Sequence, residues 1–410
     1  MNYCRIYFPW YSYVGGFMKY LFLLFVIHLT ACSPKLNEEQ ATRLRTMMMD
    51  VDSLPPSPTN HVADLPAAVE LGRALFFDTR MSMDESISCA SCHDAEEGWS
   101  DSRSVSLGVE DREGDRHSMP VQAAAFQKFW FWDGRADSLW SQAIKAIESH
   151  PEMDFTRMEV THFIVEHYSD AYENIFGPLP SFEGFPNRAR PGLDTWETLS
   201  SEEQQSVELV FANVGKVIEA YERQLLCADT RFDQWARGEL DMTTTEEAGA
   251  VIFIEERCID CHSGSSFSDG AFHNIGIGSG TSTPDYGRSD GMTLLWDDIF
   301  SGMGPYSDDV DFGMQKLIEM EAETATVGAF RTPSLRGVAQ RHSFGHRGHI
   351  KSLERFMARV YDDARLESSA VGKLDPLVRG IDLDEPDTMS VFLRMLDCPP
   401  VSDKLGTPLD

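Results

Sequence analysis

The motif Cys-x-x-Cys-His occurs twice in this chain, and it constrains the fold more than any other feature. It reads CASCH at residues 89–93 and CIDCH at residues 258–262. Two thiols three positions apart match the two vinyl groups on one edge of a porphyrin, and the next histidine reaches the iron. The pattern predicts two covalently bound haem c groups. The thioether anchors would be Cys89, Cys92, Cys258 and Cys261, and the proximal iron ligands His93 and His262.

Two other kinds of site use closely spaced cysteines. A zinc ion could take thiolates from both units, but such a site does not need a histidine beside each pair. A thioredoxin-like redox pair belongs to a βαβ unit, and the sequence lacks that alternation of strands and helices. Haem attachment is the interpretation that explains both units in the same way.

The N-terminus has the pattern of an export signal. Residues 18–32 read MKYLFLLFVIHLTAC, with an apolar run from Leu21 to Leu29 that is too short to span a bilayer. LTAC resembles the lipobox of bacterial lipoproteins, which predicts a signal peptide over residues 1–31, with Met18 a candidate initiator, and lipidation of Cys32. Cleavage without lipidation and a retained anchor are the alternatives. We therefore predict a periplasmic lipoprotein anchored to a membrane, with a flexible tether over residues 32–62.

Length, charge and cysteine content limit the kinds of protein that this chain can be. The chain has 410 residues, enough for two or three domains, and a formal net charge of −31. Such a charge disfavours binding to nucleic acid and would attract a basic partner. Beyond the two haem motifs and the export signal, Cys227 and Cys398 remain. An oxidising compartment would permit a disulfide between them.

The apolar periodicity is mostly helical. Ser200 and Glu203 form a capping-box pattern, and apolar residues then follow at helical spacing from Val207 to Leu225. AVELGRALFFD and SLERFMARVYDD also predict helices, and Gly/Pro-rich residues 177–192 and 276–305 predict loops. The sequence therefore predicts a mainly α fold, with a junction between two domains near residues 225–245.

Several motifs that surround the haem units resemble the bacterial dihaem cytochrome c peroxidase/MauG family. In chain order they are LGRALFFDTRMSMDESISCASCH, FWDGRADSLWSQA, HPEMDF, RFDQWARGE, CIDCHSGSSFSDGAFHNIG, FRTPSLRGVA and GHRGHIKSLERF. The resemblance covers nearly all of residues 66–396. It implies two cytochrome c-like haem domains packed together, a peroxidatic domain over 63–228 and an electron-transfer domain over 229–410.

The resemblance also implies roles for three residues near the first haem. Glu152 in PEM would be the distal acid–base group, and Gln142 in SQA its hydrogen-bonding companion. Trp132 in FWDG would lie between the haems and relay electrons. Without the family, Trp132 reads as part of an aromatic core cluster, and Glu152 as an ordinary carboxylate.

The sequence departs from the family in the loop that precedes RHSMP, residues 116–120. Family peroxidases carry there a histidine that caps the first haem, whereas this loop reads SLGVEDREGDRHSMP, with no histidine before His117. An open first haem is therefore expected, as in the MauG-like branch. His117 stands where the family has an asparagine that helps to hold calcium between the haems. Imidazole is a poor ligand for that hard cation, which weighs against calcium.

The distal ligand of the second haem has two main candidates, Tyr361 and Met357, and His342, His346 and His349 are further alternatives. The family supplies methionine or tyrosine from the helix after HRG (residues 346–348), and direct alignment lands on Val360, which cannot bind iron. Tyr361 is one residue further, and Met357 lies one turn before Tyr361 on a similar face. A thioether would raise the reduction potential, and a phenolate would lower it.

The sequence supports three functions to different degrees. The main reading is a cytochrome-c peroxidase that reduces hydrogen peroxide at the first haem, with electrons from a small cytochrome or cupredoxin. A MauG-like enzyme would instead use peroxide to oxidise side chains of a partner protein. A non-enzymatic dihaem electron carrier would need neither Glu152 nor Gln142 at these positions.

Overall fold

The computed structural model describes residues 34–277, 284–321, 327–360, 371–378, 383 and 385–408. These ranges are mainly helical, as predicted, with one two-stranded antiparallel sheet of β1 (Phe272–His273) and β2 (Phe330–Arg331). The helices are α1 Glu38–Arg45, α2 Pro66–Phe77, α3 Cys89–Cys92, α4 Leu139–Glu148, α5 Arg157–His167, α6 Ser169–Phe176, α7 Ser201–Glu222, α8 Arg231–Ala236, α9 Thr244–Glu255, α10 Arg288–Trp296, α11 Val310–Glu321, α12 Leu353–Val360, α13 Pro386–Leu393 and α14 Asp403–Gly406.

Helix α7 is the centre of the N-terminal core. The predicted capping box is present: the Ser200 amide donates to the Glu203 carboxylate at 2.7 Å, and the Glu203 amide donates to Ser200 Oγ at 3.3 Å. The helix packs against α2 and α4, and both contacts use glycine. A side chain at Gly72 would collide with the α7 backbone, and one at Gly215 with the α4 backbone. Close helix packing therefore fixes α4, which carries Gln142.

The C-terminal core forms around α9 and α13. Phe253 and Phe392 lie with ring centroids 5.3 Å apart, and Phe232 and Phe267 pack edge-to-face at 4.9 Å. These rings surround the second Cys-x-x-Cys-His unit, because Cys258 and Ile259 belong to the same buried cluster. The two Cys-x-x-Cys-His units thus pack in different cores, Cys89 against the N-terminal core and Cys258 in the C-terminal core.

The predicted flexible tether over residues 32–62 is wrong for its described part, residues 34–62. Leu44, Met47 and Met49 are buried, and the Met49 amide donates to Asp233 Oδ1 at 3.0 Å. The apolar face of α1 packs on the C-terminal core, which composition alone could not reveal. This segment is therefore packed into the folded protein, although it precedes the N-terminal core in the sequence.

The loop predicted over residues 276–305 is also partly wrong, because it contains α10. Phe300, just after that helix, packs into the N-terminal core against Phe211 with a centroid distance of 5.5 Å. Tyr306 donates to Glu208 at 2.6 Å. A segment from the second half of the chain thus completes the first core, so the packing crosses the predicted boundary at residue 228.

Cys227 and Cys398 form a disulfide, with Cα atoms 4.9 Å apart. The sequence left this pairing open, and the structure confirms it. The bond closes a loop of 171 residues at a buried cluster with Met49 and Ala123. It links the segment that follows α7 in the N-terminal core to the segment that follows α13 in the C-terminal core.

Removing the disulfide is expected to lower the free energy of unfolding by about 2–4 kcal/mol, because the cross-link restricts the unfolded chain. The change is Cys227→Ser with Cys398→Ser, measured by urea unfolding of the haem-loaded protein. Alanine at both positions is the control that separates the lost bond from two buried hydroxyls. Equal midpoints for wild type and both variants would contradict the expectation.

Within the described ranges, no helix has both the length and the apolar character needed to cross a bilayer. The predicted signal peptide and Cys32 lie outside the described residues.

Candidate functional site

The first Cys-x-x-Cys-His unit forms one helical turn at the edge of a cavity of about 580 Å³. The Ser88 amide donates to Ser91 Oγ at 3.0 Å and the His93 amide to the Cys89 carbonyl at 3.0 Å. Both thiols and the imidazole line this cavity. Burial raises the pKa of Cys89 and raises that of Cys92 to about 11, so both sulfurs are protonated rather than thiolates.

The two histidines predicted to bind iron are held in the same way. His93 Nδ1 lies 3.3 Å from the Trp99 carbonyl oxygen, and His262 Nδ1 lies 3.0 Å from the Phe267 carbonyl oxygen. Burial lowers the pKa of both imidazoles, so each is neutral and donates from Nδ1. Nε2 then presents its lone pair, the form in which histidine binds a metal.

Trp99 and Phe267, which aim these carbonyls, were not found from the sequence. Both adopt left-handed backbone angles, with φ of 59° and 52°, which are uncommon for aromatic residues. Strained backbone persists where the surroundings hold it, often at functional sites. No residue type marks these positions, because the contact comes from a main-chain oxygen.

Gln142 and Glu152, the residues that the family resemblance implies, line the same cavity as His93. Gln142 comes from α4, and Glu152 from the turn that follows this helix. The Glu152 amide donates to the Ser149 carbonyl at 3.0 Å, and its own carbonyl accepts from Val109 at 2.9 Å. Burial raises the pKa of the Glu152 carboxyl, and the charge of Arg135 only partly offsets that rise. A carboxyl with a raised pKa can hold a proton and pass it to a bound partner.

The loop before His117 packs directly on the Glu152 turn. A side chain at Gly108 would collide with the carbonyls of Pro151 and Glu152, so the close approach requires glycine there. The loop contributes Ser106, Gly108, Gly114, Asp115 and Arg116 to the cavity wall. None of these residues is a histidine or methionine that could cap a haem iron.

Trp132 lies between the two cavities and lines both of them. Its indole Nε1 donates to the His117 carbonyl at 2.8 Å, and its own carbonyl accepts from the Arg331 amide at 2.8 Å. The following Gly134 has φ of 70° and no room for a side chain beside Arg288 and Phe272. The tight turn thus fixes the indole in the wall between the two cavities.

The second cavity, which is smaller, is lined by Cys258, Cys261 and His262. Met357 of α12 is 5% exposed and lines the same cavity. Tyr361, its alternative, lies outside the described residues. His346 also lines this cavity, stacked on Phe330 with a centroid distance of 3.9 Å.

The zinc and redox-dithiol interpretations do not suit this geometry. The two cysteine pairs line different cavities, and among the described residues they form no joint cluster of ligand atoms. Cys261, Asp269 and His273 do lie close together, but His273 is held between Asp269 and Asp375 at 2.9 and 2.6 Å. A catalytic thiol needs a lowered pKa, whereas burial raises that of Cys89 and Cys92. The residues present therefore suit covalent haem.

His117, at the position implied for a calcium ligand, is buried with Nε2 3.3 Å from Ser100 Oγ. Its side chain has no oxygen to offer to a hard cation. The His117 side chain is therefore a poor ligand for calcium.

Comparisons with known proteins agree with this geometry. A family model described as di-haem cytochrome c peroxidase matches residues 66–241, which include the first haem unit. Methylamine utilization protein MauG from Methylorubrum extorquens is 29% identical over 322 residues, covering 78% of this chain and 74% of that protein. Cytochrome-c peroxidase IdrP2 from Pseudomonas sp. strain SCT is 29% identical over 359 residues, covering 86% of each chain.

Solved structures show the same fold. A MauG-like protein associated with microbial copper homeostasis superimposes with a TM-score of 0.61 at 20% identity, covering 87% of this chain and 97% of that one. The diheme peroxidase BthA from Burkholderia thailandensis gives 0.61 at 18% identity, covering 88% and 93%. In sequence and in fold, the chain is therefore similar to the dihaem cytochrome c peroxidase/MauG family.

Proposed function

We propose that the protein is a dihaem c-type peroxidase that reduces hydrogen peroxide in the first cavity, with electrons that arrive through the second. The observation that carries the proposal is one cavity lined by His93, Gln142 and Glu152, joined to the second cavity through Trp132. A haem bound there would supply the iron at which the O–O bond of peroxide is broken.

The chain's own residues would manage the proton and the orientation of peroxide. Glu152, with its raised pKa, would accept a proton from one peroxide oxygen and return it to the leaving oxygen. The Gln142 amide would orient peroxide by hydrogen bonding. His93, neutral and fixed by the Trp99 carbonyl, would hold the iron.

The electron path has a test in Trp132→Phe, which keeps an aromatic ring but removes the indole and its bond to His117. Steady-state peroxide reduction with a small reduced cytochrome is expected to fall by about tenfold, or ~1.4 kcal/mol of barrier. The first reaction of the oxidised protein with peroxide should be unchanged, because Glu152 and Gln142 remain. Phe129→Leu is a control in the same aromatic segment. Unchanged turnover in Trp132→Phe would remove the residue from the path.

A MauG-like oxidase acting on a partner protein is the second candidate, and the loop before His117 favours it. That loop places no histidine or methionine over the first cavity, so a first haem would be open at rest. The EPR spectrum of the oxidised protein tests this: one high-spin and one low-spin ferric signal indicate an open site. Rapid turnover with a small donor protein would favour the peroxidase, and peroxide consumption only in the presence of a protein substrate would favour the oxidase.

For the second haem, we infer a distal ligand from α12 or just after it. Met357 is supported by its burial in the cavity of His262, and Tyr361 by the family pattern. Export to the periplasm fits the haem c motifs, the disulfide and the family, and lipidation of Cys32 remains our proposal from the LTAC sequence.

A further inference from the structure

Eight residues line both cavities and form the wall between them, called here the shared wall. It contains two arginines and no acidic residue. Its members are His117, Met119, Pro120, Trp132, Arg331, Pro333, Ser334 and Arg341.

Arg331 is 4% exposed and has only neutral partners among the described residues. Its guanidinium contacts the Gln127 side-chain oxygen, the Met119 sulfur at 3.1 Å and the Phe131 carbonyl at 3.4 Å. Burial, with the nearby charge of Arg341, lowers its pKa to about 10. The cation is retained in the interior without a counter-anion from the described chain.

Arg341 likewise has no carboxylate partner among the described residues. One terminal nitrogen donates to the carbonyls of Ser334 and Arg336 at 3.1 and 2.8 Å, and its buried Nε has no partner. Burial lowers its pKa to about 10. The buried Arg336 differs, because it pairs with Asp233 at 2.9 Å.

His117 does not supply a further cation to the shared wall. Ser100 Oγ donates to the Ser118 carbonyl at 2.6 Å, so it accepts from His117 Nε2. The buried Nδ1 then carries a lone pair, and burial lowers the pKa of this imidazole to about 4. The positive charge of the shared wall therefore comes from the two arginines.

Two buried guanidinium groups without counter-charges are costly, because each loses its hydration and gains no ion pair. Each haem c that the motifs imply carries two propionate carboxylates, and guanidinium binds carboxylate through paired hydrogen bonds. We infer that Arg331 and Arg341 bind haem propionates from both cavities, and so set the charge between the two irons. This inference rests on the two haems alone and does not depend on which oxidant or donor the protein uses.

A fixed positive charge favours the reduced form of a nearby iron, because reduction adds an electron. Arg341→Gln should therefore shift the reduction equilibrium of both haems by about tenfold toward the ferric form. The arginine also keeps a bound propionate ionised, so its loss should make the potentials vary with pH between 5 and 8. Redox titration followed by the visible haem bands measures both effects without peroxide.

Arg394→Gln is the matched control, since this side chain is 57% exposed and its charge is screened by water. Its potentials should match those of the wild type. If Arg341→Gln does not mature, Arg341→Lys serves instead, with a smaller shift in the same direction, because an ammonium lacks the guanidinium fork. Potentials unchanged in the folded variant would overturn the inference, whatever happens to peroxide turnover.

Discussion

Replacing Glu152 with glutamine is expected to slow the reaction of the oxidised protein with hydrogen peroxide by about 10²–10⁴-fold. The amide keeps the size and hydrogen-bonding shape of the carboxyl but cannot take the proton from peroxide. The side chain lines the first cavity, and burial raises its pKa, so this carboxylate binds a proton more readily than an exposed glutamate does. Stopped-flow mixing, followed in the Soret band, measures the second-order rate constant.

The pH dependence provides an independent check on the same residue. The ionised carboxylate accepts the proton, so the wild-type rate should rise with pH through the raised pKa of Glu152 and then level off. Glu152→Gln should lose that rise. Glu166→Gln removes a carboxylate whose side chain is 75% exposed, and it should leave rate and profile unchanged. A Glu152→Gln rate equal to that of the wild type would exclude the acid–base role.

Replacing Asp233 with alanine is expected to lower the free energy of unfolding by about 3–5 kcal/mol. Its side chain is fully buried and pairs with both terminal nitrogens of Arg336 at 2.9 Å. It also accepts from the amides of Met49 and Thr230 at 3.0 Å. Alanine would leave the buried Arg336 without a counter-charge and release the segment that leads from α1.

Acid should remove the same stabilisation from the wild type. Burial alone would raise the pKa of Asp233, but the Arg336 guanidinium lowers it below the ordinary value. The stabilisation is therefore complete above the unfolded pKa of about 3.9 and is lost as the pH falls through the lower folded value. Urea unfolding at pH 7 and pH 3 measures the difference between wild type and Asp233→Ala, which should shrink at the lower pH.

A surface ion pair provides the control for this prediction. Glu239 contacts Arg237 at 2.7 Å, and its side chain is 54% exposed. Glu239→Ala should change the free energy of unfolding by less than about 1 kcal/mol, because water screens the pair. A loss of the same size in both variants would mean that burial does not govern the effect at Asp233.

Much of the fold and of the site could be predicted from local sequence patterns. The capping box of α7, the periodicity of α2 and the two haem motifs depend on residues that are close in sequence, and the structure contains each of them. Glu152, Gln142 and Trp132 could be placed only through the family pattern. The structure then brought them to the walls of the first cavity, and Trp132 to both cavities.

Long-range packing decided the features that the sequence did not predict. Residues 34–62 have the composition of a tether, yet α1 buries Leu44 because a matching apolar surface exists on the C-terminal core. Phe300 lies in a Gly-rich stretch, yet it completes the N-terminal core. The sequence of each segment does not reveal the surface of the protein on which that segment packs.

By itself, the sequence determined the chemistry: two covalent haem units with neighbouring proximal histidines, because attachment depends on residues within five positions of each other. Only the tertiary structure decided how the histidines are oriented by the carbonyls of Trp99 and Phe267, and which arginines face both cavities. The reason is physical. Main-chain oxygens carry no residue signature, and an arginine shows its lack of a carboxylate partner only when the chain around it has folded.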